Sequence, residues 1–519
     1  MRKKHRLSAL LLTIVLLVTT SCGSTPVQET EEKKTVTFGT TAYGIDMGNV
    51  GVNPHTGYSG WSAVRYGVGE TLFRFTDSME AEPWLAVGYE QLDDYTIRID
   101  LRDDVVYSSG RKMDGESVKE CLKHLIQVHE RAAEDLKITD ITSKDQSVTI
   151  KSSEKMPVLI HYLSDPYGAI IDMNVENDNE NIVCGTGPYV VETVNQSEVV
   201  LQRNENYWGN EVLLEQVVVK SIQDGETLTM AMQNGEIDAA QGLSYASLSL
   251  FQENENFKIS DAETSRTVFL QLNMASELLQ DDNIRKALAL SLNKQEFTDV
   301  LLKGNGEAAK GPFSADVTFG DDQITAVEYD KDEAKRLLKE SGWEDLNQDG
   351  YVEKEGNKLT LKYVTYESRQ ELPLLAEYYQ NELREIGIEL LIETTPNYEE
   401  VIKSGNFDLF AGTFVSAPTG DPQYFFTTHC MQDSVKNRGQ YYNESLEQMK
   451  DQLSEEFDLN ERAKLGVRMT QTIVDDHAFI FVSHLKMSLV MKPEVEGLAA
   501  HPCDFYEVTA DLDLTLSQE

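Results

Sequence analysis

The side chains best suited to chemistry are scattered along this chain. Asp475, Asp476 and His477 stand together and Ser483-His484 follow, so acid, imidazole and hydroxyl occur in one stretch. Residues adjacent on a helix point in different directions, so this stretch does not form a triad by itself. No GxSxG elbow, HExxH pair or phosphate-binding glycine loop is present, and no enzymatic activity is expected. No histidine-carboxylate cluster has the ligand spacing of a metal cage, so no resident metal or cofactor is expected. Asp345-Leu346-Asn347-Gln348-Asp349-Gly350-Tyr351 matches the first half of a calcium loop. Its twelfth position, where a bidentate glutamate belongs, is Gly356, and a hairpin turn at Asp349-Gly350 is the favoured reading. Beyond Cys22, the thiols Cys121, Cys184, Cys430 and Cys503 lack CxxC spacing and read as scattered buried cysteines, with a single bridge, which spacing does not assign, as the alternative.

The elements that must position these groups are mixed α/β. Tyr95 to Leu101 alternates as a half-buried strand, and Val36-Thr37-Phe38 opens another. Ser117 to Val128 carries Val118, Cys121, Leu122 and Leu125 at helical spacing. Asp330 to Ser341 and Leu372 to Ile386 read as helices stopped by Gly342 and Gly387, with strands at Lys358 to Thr365 and Ile388 to Glu393. Such βαβ alternation builds open sheets whose ligands bind in crevices between lobes.

Residues 1–21 carry Arg2, Lys3, Lys4 and Arg6 ahead of an apolar run from Leu7 to Val18, the pattern of a signal peptide. Thr19-Thr20-Ser21-Cys22-Gly23 resembles a lipobox, which makes Cys22 the expected lipid attachment site. The polar segment 22–35 then reads as a flexible leash. The chain has 88 acidic and 46 basic side chains, a formal charge of -42, and loss of the leader makes it four units more negative. A surface this acidic repels phosphate backbones, so no nucleic-acid partner is expected.

Five ordered motif groups carry more information. They are Asn53-Pro54-His55 with Gly69-Glu70-Thr71-Leu72-Phe73; Glu82-Pro83-Trp84-Leu85-Ala86 with Leu101-Arg102-Asp103-Asp104-Val105; Gly185-Thr186-Gly187-Pro188-Tyr189 with Arg203-Asn204-Glu205-Asn206-Tyr207-Trp208; Ile284-Arg285-Lys286-Ala287-Leu288-Ala289 with Gly311-Pro312-Phe313; and Tyr329-Asp330 through Gly342-Trp343 with Phe407-Asp408-Leu409. This set resembles the family-5 extracellular solute-binding proteins, the peptide and nickel group serving ABC importers. The resemblance spans essentially the whole mature chain. It implies a two-lobed, periplasmic-binding-protein-like flytrap with an extra subdomain in lobe I. Lobe I is placed at 36–265 with a return at 484–519, and lobe II at 266–483. Most of these motifs specify scaffold: Trp84 and Trp208 read as core packing, Arg285 as an ion-pair partner of Asp281 or Asp282. The glycines of Gly185-Thr186-Gly187 read as positions with backbone conformations closed to other residues.

The resemblance leans toward the Gram-positive nickel and metallophore branch, with a peptide binder as the alternative. It implies ligand contacts at His55, Tyr58 and Trp61 in the front loop and at Thr419, Asp421 and His429 in the second lobe. His429 is the implied metal contact, and Asp421 could instead receive a peptide amine. The nickel branch's clamping arginine is missing from Ser164-Asp165-Pro166-Tyr167-Gly168-Ala169, and Val415 and Thr419 stand where its cleft aromatics belong. Arg438 is therefore the expected substitute clamp for an anionic chelate. Expected partners are that ligand, an ABC permease and the membrane through the lipid anchor, with the protein as a monomer facing the outside of the cell.

Overall fold

The computed structural model describes residues 34–41, 51–175, 181–252 and 254–515. The leader, Cys22 and the leash as far as Lys33 lie outside the described residues.

Val36 and Phe38 are buried between half-buried threonines, the alternation that makes β1 (Thr35–Thr40). Helix α1 (Ser59–Arg65) follows the front loop. A separate four-stranded antiparallel sheet comes next: β2 (Ala86–Asp93), β3 (Thr96–Leu101), β4 (Ile138–Lys144) and β5 (Ser147–Ser152), in the order β2-β3-β5-β4. Helix α2 (Gly115–Val128) covers it. Asp114 starts α2 with a capping box: its side chain accepts from the Ser117 amide, and the Ser117 hydroxyl accepts from the Asp114 amide. Val118, Cys121, Leu122 and Leu125 of α2 share a core with Ile97, Ile99, Val148 and Ile150. Full burial of each aliphatic side chain is worth about 1.5–3 kcal/mol, which holds α2 to this sheet.

The main sheet has eleven strands. After β1 come β6 (Tyr189–Val194), β7 (Glu198–Arg203), β8 (Gln216–Ser221), β9 (Ala239–Gln241), β10 (Lys258–Leu272) and β11 (Gly306–Ala308). Helix α3 (Lys331–Glu340) leads to β12 (Thr360–Thr365), α4 (Glu371–Glu385), β13 (Glu389–Thr394) and β14 (Leu409–Val415). Helices α5 (Gln423–His429) and α6 (Leu459–Asp475) precede β15 (Phe479–Met491). The order is β13-β12-β14-β10-β15-β9-β1-β8-β7-β6, with β11 added on β15. Strand β1 runs parallel to β8 and β9, and β12 runs parallel to β13 and β14.

Two long antiparallel strands, β10 and β15, join the halves of this two-lobed architecture. Their register breaks between Glu263 and Thr267, opposite Lys486 and His484. The extra residues on β10 are pinned: the Thr264 hydroxyl donates to Leu485 O at 2.7 Å, and Ser265 O accepts from the Ser416 amide at 2.7 Å. An irregularity of this kind bends a strand and increases its twist.

The helices ending at Gly342 and Gly387 form as the sequence predicts, both glycines having positive φ, and β3, β12 and β13 fall within two residues of their expected ends. Two expectations are corrected. The two-residue hairpin near the calcium-like segment turns at Glu355-Gly356, both at positive φ, pairing Glu353–Lys354 with Asn357–Lys358, while Asp349-Gly350 lies in the wider loop closed by the Glu344–Glu353 bridge, with Gly350 also at positive φ. Gly185 and Gly187 do not adopt positive φ. Close approach explains them, because a Cβ would lie 2.0 Å from Val68 O and 2.3 Å from Gly67 O respectively. The four described cysteines are free thiols, with Cys184 half-buried and the others buried.

Candidate functional site

The loops leaving β1, β8, β9 and β12 converge on one cavity of about 520 Å³. Thr41, Gln223 and Gly242 line it from one half of the sheet, Glu367 to Glu371 from the other, with Thr264, Arg266 and Leu485 to Ser488 of β10 and β15. Crevices beyond the carboxyl ends of parallel strands are where open α/β sheets bind ligands, and this volume suits a small molecule.

Both signs of charge line the cavity. Arg266 sits at the register break and pairs with Asp504 at 3.3 Å. Burial first, and then the charge of Arg369, push the Arg266 guanidinium below its ordinary pKa. Asp504 also meets Arg65 Nη2 at 3.3 Å and accepts from Gln241 Nε2 at 3.1 Å. Arg65 Nε lies 3.3 Å from Glu507, which has no exposed surface and is pushed up to about 8, chiefly by burial. Across the cavity, Arg369 is exposed and its side chain has no hydrogen bond or ion pair among the described residues. Glu371, 2% exposed, accepts from Thr413 Oγ1 at 2.5 Å and Tyr245 OH at 3.4 Å. Lys486 pairs with Glu307 at 3.0 Å and approaches Glu263 at 4.0 Å.

A second cavity of about 470 Å³ lies between the hairpin that pairs Phe73–Phe75 with Ala81–Pro83 and the C-terminal segment, lined by Trp84, Tyr207, Tyr506 and Glu70 among others. Glu70 already accepts from Tyr207 OH and Trp208 Nε1, and burial raises it to about 7. This carboxyl fastens two aromatic residues of the scaffold.

None of the seven residues implied by the sequence lines either cavity. His55 is buried, its Nδ1 2.8 Å from His124 Nδ1 and its Nε2 3.6 Å from Cys121 Sγ. Burial, with His124 and His129 adding, lowers it to about 3. It thus docks the front loop on α2. Tyr58 is half exposed at the start of α1, and Trp61 meets Phe505 edge-on at 5.9 Å. Thr419 offers its carbonyl to His161 Nδ1 at 2.8 Å.

Three expected roles meet a different geometry. Asp421 does not present a free carboxylate for an amine: Arg462 donates to both its oxygens at 2.8 and 2.7 Å, and the Gln423 amide donates at 2.9 Å. His429 is 2% exposed in a box of Phe269, Phe414 and Phe425, with Gln271 Nε2 at 3.3 Å. Burial, then Arg438, lower it to about 3, so its imidazole is neutral but faces phenyl rings. Arg438 bonds Glu399 at 2.7 Å and lies over Phe410 at 4.8 Å and Phe414 at 5.1 Å. Its Nη2 is thus engaged within the second lobe, while its Nε and Nη1 are buried without a hydrogen-bond partner among the described residues.

Arg266, Arg369, Lys486 and Asp504 were not singled out by the sequence. They come from four distant segments with no common spacing, and only the fold of β10 against β15 assembles them.

The acid-imidazole-hydroxyl stretch is dispersed. His477 Nδ1 faces Asp282 at 3.2 Å, while His484 joins Asp321 at 2.7 Å to the Thr267 hydroxyl at 3.0 Å. Thr267 has no exposed surface and its hydroxyl donates to Pro312 O, so no substrate reaches it. Arg285 pairs with Asp282 at 2.9 Å, as the sequence implies. Among the described residues, one acidic group gathers at cation-ligating spacing: Asp345, Asp349 and Glu353, within 4.8 Å. Lys358 lies 2.7 Å from Asp349 and offsets part of that charge.

A profile described as bacterial extracellular solute-binding proteins, family 5 middle, matches residues 80–436. The nickel-binding protein NikA of Staphylococcus aureus is 27% identical, over 78% of this chain and 80% of that protein. Its crystal structure in complex with Ni(L-His)2 superposes with a TM-score of 0.76 at 23% identity, covering 93% of this chain and all of that one. A nickel ABC transporter structure from Bacillus halodurans gives a TM-score of 0.79 at 28% identity, covering 93% and 100%. The oligopeptide-binding protein AppA of Bacillus subtilis is 25% identical over 65% of this chain and 64% of that protein.

Proposed function

The chain belongs to the bacterial extracellular solute-binding proteins of family 5, and from that premise we propose that it captures nickel as a small chelate, with histidine or a metallophore, for an ABC importer. The observation that carries the capture role is the cavity whose walls come from both halves of the sheet and whose edge is the broken pair β10 and β15. A ligand there touches both lobes at once. It can close them only insofar as it binds the closed arrangement better than the open one. Lobe I is assigned to 36–265 and 484–519 and lobe II to 266–483, and the register break at Glu263/Thr267, opposite His484 to Lys486, supports a hinge at those boundaries. Contacts between the lobes include His161 with Thr419 and Lys155 with Glu455 at 3.2 Å.

The nickel reading is supported by the nickel-binding relatives and by the arginines of the cavity, which suit chelator carboxylates. Peptide capture is the second reading: the cavity also holds Glu371 and Asp504, and a zwitterion needs both signs. Thermal unfolding separates them. Nickel with L-histidine should raise the transition, since a ligand at a hundred times its Kd adds about 2.7 kcal/mol. No shift there, with a clear shift from di- to pentapeptides, moves the assignment to peptide uptake.

Acylation of Cys22, with the polar leash behind it, would tether a monomeric binding domain to the outer face of the membrane beside its permease. Cys22→Ala should release the protein into the medium, and retention on the cells would exclude this anchor.

A further inference from the structure

Arg266 at the register break of β10 and Arg369 in the loop after β12 face one cavity, and they differ in what satisfies them. Arg266 is held by Asp504 at 3.3 Å, longer than the 2.7–2.9 Å of a well-made charged hydrogen bond. Arg369 has no hydrogen-bond or ion-pair partner among the described residues. Two guanidinium groups confined in one cavity repel, and an anion between them relieves that repulsion. Asp504 is placed so that it can give way. Arg65 at 3.3 Å and Gln241 at 3.1 Å remain to it if Arg266 turns to another carboxylate. Glu507, the other acid at Arg65, is fully buried and pushed up to about 8, so near neutral pH it leaves most of the Arg65 charge to Asp504.

We propose that Asp504 is a specificity-determining residue: a built-in carboxylate that competes for Arg266 and yields only to a ligand whose own carboxylate bridges Arg266 and Arg369. The ligand class is thus a chelate keeping at least one carboxylate free to meet the arginines. This rests on the reading that the cavity between the lobes is the capture site. A ligand amine would need the opposite of this arrangement, because it would seek Asp504 instead of displacing it.

The probes are nickel with excess L-histidine and nickel with excess L-histidinamide, which keeps the imidazole and amine donors but replaces the carboxylate by a neutral amide. Titration calorimetry at fixed ionic strength should show the native protein binding the histidine complex about tenfold or more tightly than the histidinamide complex. Arg369→Gln should weaken the histidine complex about tenfold and leave the histidinamide complex unchanged. Asp504→Asn should tighten the histidine complex severalfold. Weaker or unchanged binding by a folded Asp504→Asn protein overturns the proposal, as does an equal effect of Arg369→Gln on both probes. If Asp504→Asn does not fold, the Arg369→Gln comparison decides alone, since that side chain is exposed and holds nothing in place. A native protein that binds neither nickel complex overturns the nickel reading itself and this inference with it, a result separate from binding without discrimination.

Discussion

Arg462 on α6 closes on Asp421 through two parallel hydrogen bonds, Nε to Oδ2 at 2.8 Å and Nη2 to Oδ1 at 2.7 Å. Both residues are nearly inaccessible, and Arg462 also donates to Leu453 O and Glu456 O at the end of a further helix, Glu444–Glu455. One guanidinium therefore fastens the loop after β14 to two helices.

Removing the arginine leaves a buried, uncompensated carboxylate. Arg462→Met should cost about 3–5 kcal/mol in denaturant unfolding, and the Asp421→Asn/Arg462→Met pair should recover part of it. A loss under 1 kcal/mol would mean that water reaches Asp421.

The buried histidines set an acid limit. His55 and His429 have folded values of about 3 against an unfolded 6.5. Above pH 6.5 both states are neutral. As pH falls below 6.5, the unfolded chain takes protons the folded one refuses, and each histidine removes about 1.4 kcal/mol per pH unit. Glu507, raised to about 8 from 4.5, acts oppositely: its contribution is full below 4.5 and is lost as pH rises through 8. His429→Phe should thus move the acid unfolding midpoint downward. Glu507→Gln should stabilise the protein at pH 8 to 9 while doing little at pH 4.5.

Close backbone approach at Gly185 leaves no room for a methyl group. Gly185→Ala should cost about 1–3 kcal/mol through a forced backbone shift, although its φ is ordinary. Thermal denaturation would test this, and an unchanged transition would show that the Val68 segment moves aside.

At the register break, the Thr264 hydroxyl bonds Leu485 O across the two strands. Thr264→Val keeps the shape and removes the bond, so a loss of about 0.5–1.5 kcal/mol is expected. Small-angle scattering should also show a wider spread of lobe separations, and a scattering profile identical to the native one would speak against a hinge here.

How much of this was legible beforehand varied with the physics involved. The strands and helices followed from periodicity, and their ends from Gly342 and Gly387, because those signals are local. The two-lobed arrangement was what the family resemblance implied. Individual site residues were harder. Asp421 and Arg438 look like free charges in the sequence, and nothing local announces that Arg462, 41 positions away, or Glu399 has already claimed them. Arg266 and Arg369 were invisible for the converse reason: each is an isolated arginine until β10 and β12 place them on one cavity. The turn at Glu355-Gly356 was missed because Asp349-Gly350 carries the stronger dipeptide signal.

Strand β15 has a temporal consequence. It pairs with β9, β10 and β11, so the centre of the main sheet is incomplete until residues 479–491 have been synthesised. Before then β9 presents a naked edge, and β10 holds its partner β14 with nothing on its other side. Contacts this distant along the chain slow folding and keep a nascent polypeptide loose and prone to association. The strand that joins the two halves of the finished sheet is also the one that delays its becoming a folded molecule at all.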